Sequence, residues 1–272
     1  MSDVRRTYLF WIALSGAVGL SLWKADVRMN DLFAPDARSQ MAAMVRSMFP
    51  PELAPSFLRS MITPTAETLQ ISVMGMAVAI AIGFPLSLLA TATITWSGIL
   101  HERYSSSSRG VGFVPYAVAR SFLSILRSIP EVVWGLMFVR AVGLGPFAGV
   151  LAIGVAYGGM LGKVYSEILE GVNLRPAETL QASGASRLAV VTYGMLPAAL
   201  PALASYTLYR WECAIRASAI LGFVGAGGLG QQIELSLRMF NFHEVATLLL
   251  ILWGFVFAVE TLSAMVRRSL AR

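Results

Sequence analysis

The sequence predicts an all-α membrane protein, a polytopic helical bundle with about six transmembrane helices. Of its 272 residues, 56% are hydrophobic and only 13% are charged, and the mean hydropathy is +0.67, which is unusual for a soluble domain. Apolar stretches alternate with short polar or glycine- and proline-rich segments, as expected for helices that cross a bilayer about 30 Å thick. Residues 1–272 are therefore predicted to form a single transmembrane domain.

The chain begins with a candidate membrane anchor. An apolar run from Tyr8 to Trp23 follows the pair Arg5-Arg6, a pattern shared by signal peptides and by first membrane spans. No small-x-small cleavage pattern follows the run, so we favour the anchor. The segment 24–61 then mixes acids, bases, Met and Phe. We predict that it lies on the periplasmic side and includes a short interfacial helix.

Five further apolar stretches are predicted to span the membrane. They cover residues 66–94, 116–142, 143–171, 190–209 and 245–265. Gly83 and Pro85 fall inside the first of these spans, and Pro130 is expected to kink the second, since such residues are tolerated in membrane helices. A Ser-rich polar stretch over residues 97–110 is predicted to be a flexible cytoplasmic connection.

A stripe of small residues marks the predicted span 143–171. Gly154, Gly158 and Gly162 recur every four residues, which places them on one face of a helix. Because they carry no side chains, a second helix can approach this face closely. The three glycines are therefore predicted helix-packing positions.

Basic residues predict the orientation of the spans. With the N-terminus inside, Lys and Arg are more frequent in the cytoplasmic segments than in the outer ones. The bias grows when the long segment 24–61 is left out, and the positive-inside rule is most reliable for short loops. Both termini are therefore predicted to lie in the cytoplasm.

Few residues of the chain are of the types that catalysis or metal binding requires. Cys213 is the single cysteine, and His101 and His243 are the two histidines, so neither a disulfide framework nor a cysteine-rich metal site is expected. Neither H-E-x-x-H nor G-x-S-x-G occurs, which argues against an intramembrane enzyme. The net charge of +6 is dispersed between apolar spans, as topology signals are, and does not predict nucleic-acid binding. We expect no cofactor and no metal.

Charged residues in or near apolar stretches are candidates for a translocation path. Three pairs lie at i,i+4, namely Arg127 with Glu131, Lys163 with Glu167, and Glu212 with Arg216. Such pairs share a helix face, and ionisable groups at membrane depth are expected to be paired or to face a polar cavity. Arg210 has no acid three or four positions away and is predicted to be the freer cation. The alternative is that the bases snorkel to the interface.

A glycine-rich run extends from Gly222 to Gly230. It lacks the preceding strand and the G-x-x-x-x-G-K-[ST] pattern of a phosphate loop. We predict a broken helix or tight turn at the outer end of the path, because irregular backbone at membrane depth is tolerated where it lines a cavity. Gly225, Gly227 and Gly228 are the gate candidates, and exposed N–H groups there are an alternative contact for an anion.

The segment from Leu174 to Pro201 is one of the few polar interruptions in the apolar chain. Pro176 suits the first position of a helix, and Glu178 then lies in the first turn, where the helix dipole favours an acid. We predict a short cytoplasmic helix with Gly184 in its middle. A residue without Cβ at such a position indicates close backbone approach.

This segment resembles the cytoplasmic "EAA" loop of ABC importer permeases, which has an acid, a Gly six positions later and a Leu-Pro after a fixed spacing. The positions that match in register are Glu178, Gly184, Leu196 and Pro197. The two alanines of the loop are Thr179 and Leu180 here, and its usual Ile is Gly194. These departures are typical of the phosphonate branch of the family.

The resemblance extends beyond the loop. Further matching segments are R-S-I-P-E-V-V-W (127–134), V-G-L-G-P-F-A-G-V-L-A (142–152), G-G-M-L-G-K (158–163), Y-R-W-E (209–212) and G-F-V-G-A-G-G-L-G (222–230). Together they resemble the membrane-spanning permease subunit of a phosphonate-type ABC importer. The resemblance implies a type I ABC importer permease fold, with residues 171–190 as the loop that couples to an ATPase.

The same resemblance implies the partners. They are a second copy of the chain, two cytoplasmic ABC ATPase subunits and a periplasmic phosphonate-binding protein, in a bacterial inner membrane whose lipid surrounds the spans. The chain itself carries no Walker motif, so ATP hydrolysis is expected on the partner. The transported solute would be phosphonate, phosphite or a phosphate-like anion. Two alternatives stay open, a permease for another solute such as methionine or a quaternary amine, and a scaffold subunit without a transport role.

Overall fold

The computed structural model of the protein describes residues 2–24, 34–97 and 106–270. Within these ranges the chain consists of helices and short connections, and no β-strand occurs in them. The predicted all-α membrane fold is confirmed. The chain divides into two compact units, Met1–Pro50 and Pro51–Arg272.

The described part of the first unit contains α1 (Ser2–Lys24) and α2 (Pro35–Ser47). The predicted anchor from Tyr8 to Trp23 is helical throughout, and all of its side chains are exposed. The predicted outer segment contains α2, which begins with a proline at its first position, as is common in helices. Residues 25–33 of that segment lie outside the described residues, so its location relative to the membrane stays a prediction.

The second unit contains the helices of the bundle. In chain order its described helices are α3 (Pro55–Ser60), α4 (Ile62–Leu89), α5 (Ala92–Thr95), α6 (Ser106–Ser128), α7 (Glu131–Val142), α8 (Pro146–Gly171), α9 (Arg175–Ala182), α10 (Arg187–Ala189), α11 (Leu196–Gly222), α12 (Gly228–Arg238) and α13 (Phe242–Leu270). A π-helical turn, Val190–Met195, joins α10 to α11. Residues 98–105 of the predicted Ser-rich loop lie outside the described residues, and Ser106 already begins α6.

Four stretches of the described chain are long and apolar enough to cross a membrane. They are Pro55–Leu89, Pro146–Gly171, Arg187–Gly222 and Phe242–Ser269. A fifth is present if the bent pair Gly112–Ser128 and Glu131–Val142 forms one span. Each of these five corresponds to one of the five apolar stretches predicted after the anchor and contains most of its residues. Helix α1 is not among them, so the sixth span stays a prediction.

The break between α6 and α7 is sharper than the predicted kink. The two helices meet at 86°, and Pro130 stands before the first residue of α7. Proline has no N–H to donate and disfavours the helical conformation of the preceding residue, here Ile129. Helix α6 therefore ends at Ser128, and what the sequence suggested as one kinked span is a broken one.

The fifth predicted span is longer than expected. We predicted an end near Tyr209, yet α11 continues to Gly222. Glu212 and Arg216 therefore lie inside the helix rather than beyond it, and both make ion pairs there. Paired charges are compatible with a membrane helix, which is why they do not end it.

Helices α4 and α8 pack side by side in the core. A Cβ added at Gly83 of α4 would lie 2.8 Å from the carbonyl oxygen of Gly158, and one added at Gly154 would lie 2.5 Å from Cγ1 of Val78. At Gly162 an added Cβ would lie 2.5 Å from a methyl carbon of Leu123 in α6. The glycine stripe of α8 thus faces both α4 and α6, and its missing side chains permit this close packing.

Candidate functional site

Helix α9 lies in the segment that links α8 to the following spans. It is short and two-sided, since Ala177 is fully buried whereas Glu178 is exposed. Pro176 is its second residue, and the N–H of Glu178 donates to the carbonyl oxygen of Leu174 at 2.9 Å. A short helix is present here as predicted, with its acid in the first turn, where the helix dipole stabilises it.

Gly184 is not in the middle of this helix, and that part of the prediction is wrong. Helix α9 ends at Ala182, and Gly184 follows with a φ of 85°. Its N–H donates to the carbonyl oxygen of Gln181 at 3.0 Å. A residue with a side chain would pay about 1–2 kcal/mol for this left-handed conformation, so glycine ends the helix. No atom of the described chain lies within 4 Å of a Cβ built there, so close approach within the chain is not the reason.

Gly194 fixes α9 to the beginning of α11. A Cβ added at this residue would lie only 2.9 Å from Cα of Ala177, so the usual Ile of the loop has no room here. Ala177, Val190 and Met195 form a buried apolar cluster, against which Ile94 of α5 also packs. The π-helical turn in this cluster leads directly into Leu196 and Pro197, the first two residues of α11. Helix α9 is therefore held firmly on one face and exposed on the other.

Glu170, near the end of α8, forms a second connection at the same end of the bundle. Its carboxylate accepts a hydrogen bond from the N–H of Ala92 at 2.8 Å and bonds of 2.9 Å from the Nη2 of Arg120 to both oxygens. The Nε of Arg120 donates to the carbonyl oxygen of Ala90 at 3.1 Å. This group, which we call the Glu170 clasp, ties the end of α8 to α6 and to the start of α5.

Arg127 and Glu131 do not share a helix face, contrary to the prediction. Arg127 lies in the last turn of α6 and is exposed, whereas Glu131 begins α7 across the 86° bend. No ion pair joins either of them to another described residue. The break lies beside the middle of α8, because a Cβ added at Gly159 would lie 2.8 Å from the backbone nitrogen of Arg127. The middle of α8, a span, is expected to lie deep in the membrane, and irregular backbone there is tolerated where it lines a polar cavity or is buried in protein.

The predicted pair of Glu212 with Arg216 is replaced by two pairs between helices. The buried carboxylate of Glu212 binds the guanidinium of Arg267, and Nη1 of Arg216 lies 2.7 Å from Oε1 of Glu260. Both partners belong to α13. Because α13 packs along α11 and carries the complementary charges, each group gains a counterion across the interface instead of along its own helix.

Arg210 makes no ion pair with any described carboxylate. Its Nε donates to the phenol oxygen of Tyr206 at 2.9 Å, and its Cζ lies 5.5 Å from the ring centre of Tyr206 and 5.8 Å from that of Tyr157. The phenol of Tyr157 also interacts electrostatically with Glu131 and Arg216. Tyr157 therefore lies among three of the charged residues singled out in the sequence.

The glycine-rich run forms a turn between α11 and α12. Gly225, Gly227 and Gly228 have φ values of 96°, 85° and 71°, which side chains rarely adopt. A tight turn is present here as predicted. The N–H of Gly228 donates to Oε2 of Glu67 at 3.0 Å. One of the backbone N–H groups that we suggested as an anion contact is therefore already bound by a carboxylate of the protein itself.

Several of these partners were not predicted from the sequence, although they carry one recognisable signal. Glu67, Glu170 and Glu260 each lie inside a predicted span, and an ionisable residue within a span is by default a candidate for function or pairing. The i,i+4 spacing finds only acids with a base four positions away on the same helix, which these three partners do not use. The pair of Lys163 with Glu167, at 2.7 Å, forms as predicted because both residues belong to one uninterrupted helix.

Within the part of the chain that the structure describes, no group of three or more His, Cys, Asp or Glu side chains is arranged to hold a metal ion. The polar groups described above instead consist of ion pairs, phenols and backbone amides. Such groups can bind, steer or release a charged solute, and they can transmit a movement between helices.

Comparison with known proteins places the chain among transport proteins. Residues 104–272 match the family model described as "Binding-protein-dependent transport system inner membrane component". The chain is 35% identical over 260 residues, 96% of this chain and 86% of the relative, to the phosphite transport system permease protein PtxC of Stutzerimonas stutzeri. It is 35% identical over 119 residues, 44% of this chain and 98% of the relative, to the putative cryptic phosphonate transport system permease protein PhnE2 of Escherichia coli (strain K12).

A solved structure shares the fold. The chain resembles a chain of the MetNI methionine ABC transporter in inward-facing conformations, with a TM-score of 0.66 and 22% sequence identity, over 81% of this chain and 100% of that chain. At this identity the likeness concerns the arrangement of helices alone.

Proposed function

We propose that this chain forms the membrane path of an ABC importer for phosphonate, phosphite or a similar phosphorus oxyanion. The premise is that the chain belongs to the family of binding-protein-dependent transport system inner membrane components. The phosphonate-type permease resemblance predicted from the sequence is confirmed by the family and its relatives. The observation that carries the solute class is the similarity to a phosphite permease over nearly the whole chain.

The loop 171–190 is proposed to couple the permease to an ATPase. Helix α9 exposes Glu178 on one face, while Ala177 on its buried face is packed against Gly194. A movement imposed on α9 would therefore pass as rigid-body motion into α11 through Leu196 and Pro197. ATP would be hydrolysed by the partner chain, since this sequence has no Walker motif.

The proposed assembly contains two copies of this chain, two cytoplasmic ATPase subunits and a periplasmic binding protein that delivers the solute. Each copy is one transmembrane domain over residues 1–272, with the segment 24–61 outside and both termini in the cytoplasm. Large apolar side chains such as Phe122 of α6 and Trp253 of α13 are exposed in the single chain. Apolar surface of this kind supports contact with lipid and with a second copy.

Transport by the reconstituted importer tests this proposal. Proteoliposomes that contain the permease and its ATPase, with the binding protein outside and ATP inside, should take up labelled phosphite or methylphosphonate. An ATPase variant with a disabled Walker motif is the control and should abolish uptake. Uptake of methionine or choline without uptake of either phosphorus anion would refute the proposed solute and support the alternative permease.

A further inference from the structure

Within the spanning helices of the described chain, ion pairs neutralise every partly buried Lys or Arg side chain except Arg210, and one exposed Arg as well. The ion pairs are Arg120 with Glu170, Lys163 with Glu167, Arg216 with Glu260 and Arg267 with Glu212. Arg210 is different, because it is half-buried and has no carboxylate at ion-pair distance among the described residues. A cation without a counterion is costly at membrane depth, so a compensating ligand is expected.

The guanidinium of Arg210 is held in place but not satisfied. It has five N–H donors, of which the Nε–H is used by Tyr206. Its two terminal nitrogens donate to no acceptor within the described residues. The flanking rings of Tyr157 and Tyr206 stabilise the positive charge through their faces, yet they supply no acceptor to the terminal nitrogens. The forked end of Arg210 is therefore free to bind a ligand with paired oxygen atoms.

A second donor lies beside this cation. Tyr157 is only 3% exposed, and its hydroxyl makes no hydrogen bond within the described chain, although it interacts electrostatically with Arg210. A guanidinium binds two oxygens of a phosphate-like group side by side, and a phenol O–H donates to a further oxygen. The two side chains together match the chemistry of a tetrahedral phosphorus oxyanion.

The position of this group suits a solute in transit. Arg210 lies near the middle of α11 and Tyr157 near the middle of α8, and the break between α6 and α7 reaches the same level at Gly159. Glu131, at that break, also interacts with the phenol of Tyr157. An acid near this phenol would weaken the binding of an anion, and weak binding allows release, which conduction requires.

We propose that Arg210, Tyr157 and Tyr206 form an oxyanion station, a transient binding site for the phosphorus oxyanion about halfway along the translocation path. The station rests on the proposed function and adds to it the residues that meet the solute inside the membrane. Arg216 is excluded from this role because its charge is already neutralised by Glu260.

Uptake of labelled phosphite by the reconstituted importer tests the station. Arg210→Gln should lower the uptake rate about tenfold or more, the loss typical of a charge-assisted hydrogen-bonded contact, while stimulation of the ATPase by the binding protein persists. Arg210→Lys keeps the charge without the fork and should fall between Arg210→Gln and the parent. Tyr206→Phe should give a smaller loss of uptake, because it removes the hydrogen bond that holds the guanidinium of Arg210 but leaves the guanidinium itself.

Two matched variants serve as controls. Arg140→Gln removes an exposed base of α7, and Tyr209→Phe removes the hydroxyl of an exposed neighbour of Tyr206, so both should transport like the parent. Parental uptake by Arg210→Gln would overturn the station, and so would joint loss of uptake and of ATPase stimulation, which indicates a structural role. A parent importer that moves neither phosphite nor phosphonate would instead refute the proposed function, and the station with it.

Discussion

Two glycines of the segment from Leu174 to Pro201 suit their positions for opposite physical reasons. Gly184 is exposed and has a positive φ, so its backbone conformation excludes most side chains. Gly194 is buried, and its missing Cβ leaves room for Ala177. In the sequence, the first looked like a packing position and the second like a mere departure from the family pattern. Only the backbone geometry separates the two cases.

Substitutions at Gly184 should therefore follow backbone preference and not side-chain volume. Gly184→Val should reduce coupling, because the left-handed conformation costs about 1–2 kcal/mol or more for a branched residue. Gly184→Asn should stay close to the parent, since Asn tolerates that conformation best among residues with a side chain. The measurement is the amount of phosphite transported per ATP hydrolysed. Equal damage from both variants would mean that the ATPase contacts the bare Cα directly.

The ion pairs between α11 and α13 differ in their expected contribution to stability. Arg267→Gln strands Glu212, whose side chain is 9% exposed, whereas Arg216→Gln strands Glu260, which is 41% exposed. Breaking a buried pair costs about 3–5 kcal/mol, while an exposed pair is worth about 0–1 kcal/mol. Arg267→Gln should therefore lower the thermal unfolding temperature of the purified permease much more. Adding Glu212→Gln should restore part of the loss, and equal effects of the two Arg variants would contradict this ranking.

At the level of helices, sequence reasoning succeeded where all the evidence lies within one helix. The span predicted over 143–171 corresponds to α8, Pro146–Gly171, because its proline start, glycine stripe and apolar length are local signals. The partner of Glu212 is 55 residues away, on another helix. No local spacing encodes such a contact, so the i,i+4 rule assigned the wrong partner.

The break between α6 and α7 shows the same limit. Pro130 predicted that the helix would be disturbed, but the size of the bend depends on what the two halves pack against. Helix α6 contacts Gly159 of α8, and α7 contacts Leu221 of α11 through Gly135. Proline chemistry locates the break, whereas the packing of distant helices determines the angle.

The close pairing of α4 with α8 predicts a difference between two glycines. Gly83→Ala places a Cβ 2.8 Å from the carbonyl oxygen of Gly158, a clash with backbone, and overpacking of this kind costs about 1–3 kcal/mol. Gly254→Ala, in α13, meets nothing within 4 Å and should be neutral or slightly stabilising, because Ala is the better helix former. Thermal unfolding of the two purified variants measures the difference. Similar unfolding temperatures would show that α4 and α8 are not tightly packed.

Across the whole bundle, the two ends differ in chemistry. One end holds α9, Gly194 and the Glu170 clasp, which connect the loop 171–190 to several helices. The opposite end holds the glycine turn with Glu67 on its amide and the contact of the N–H of Glu52 with the carbonyl oxygen of His243. Helices α4 and α8 run in the same direction between these ends, since Gly149 packs on Ile71 and Gly158 on Ile82.

Cysteine accessibility in a Cys213→Ser background tests which end faces the cytoplasm. Ser183 follows α9 and Asn241 follows α12, and both are exposed, so they mark opposite ends of the bundle. A membrane-impermeant maleimide added to intact cells should label Asn241→Cys, whereas Ser183→Cys should be labelled only after permeabilisation. Ser106→Cys, at the start of α6, should behave like Ser183→Cys. Labelling of Ser183→Cys in intact cells would reverse the topology and remove α9 from the side of the membrane where ATP is available.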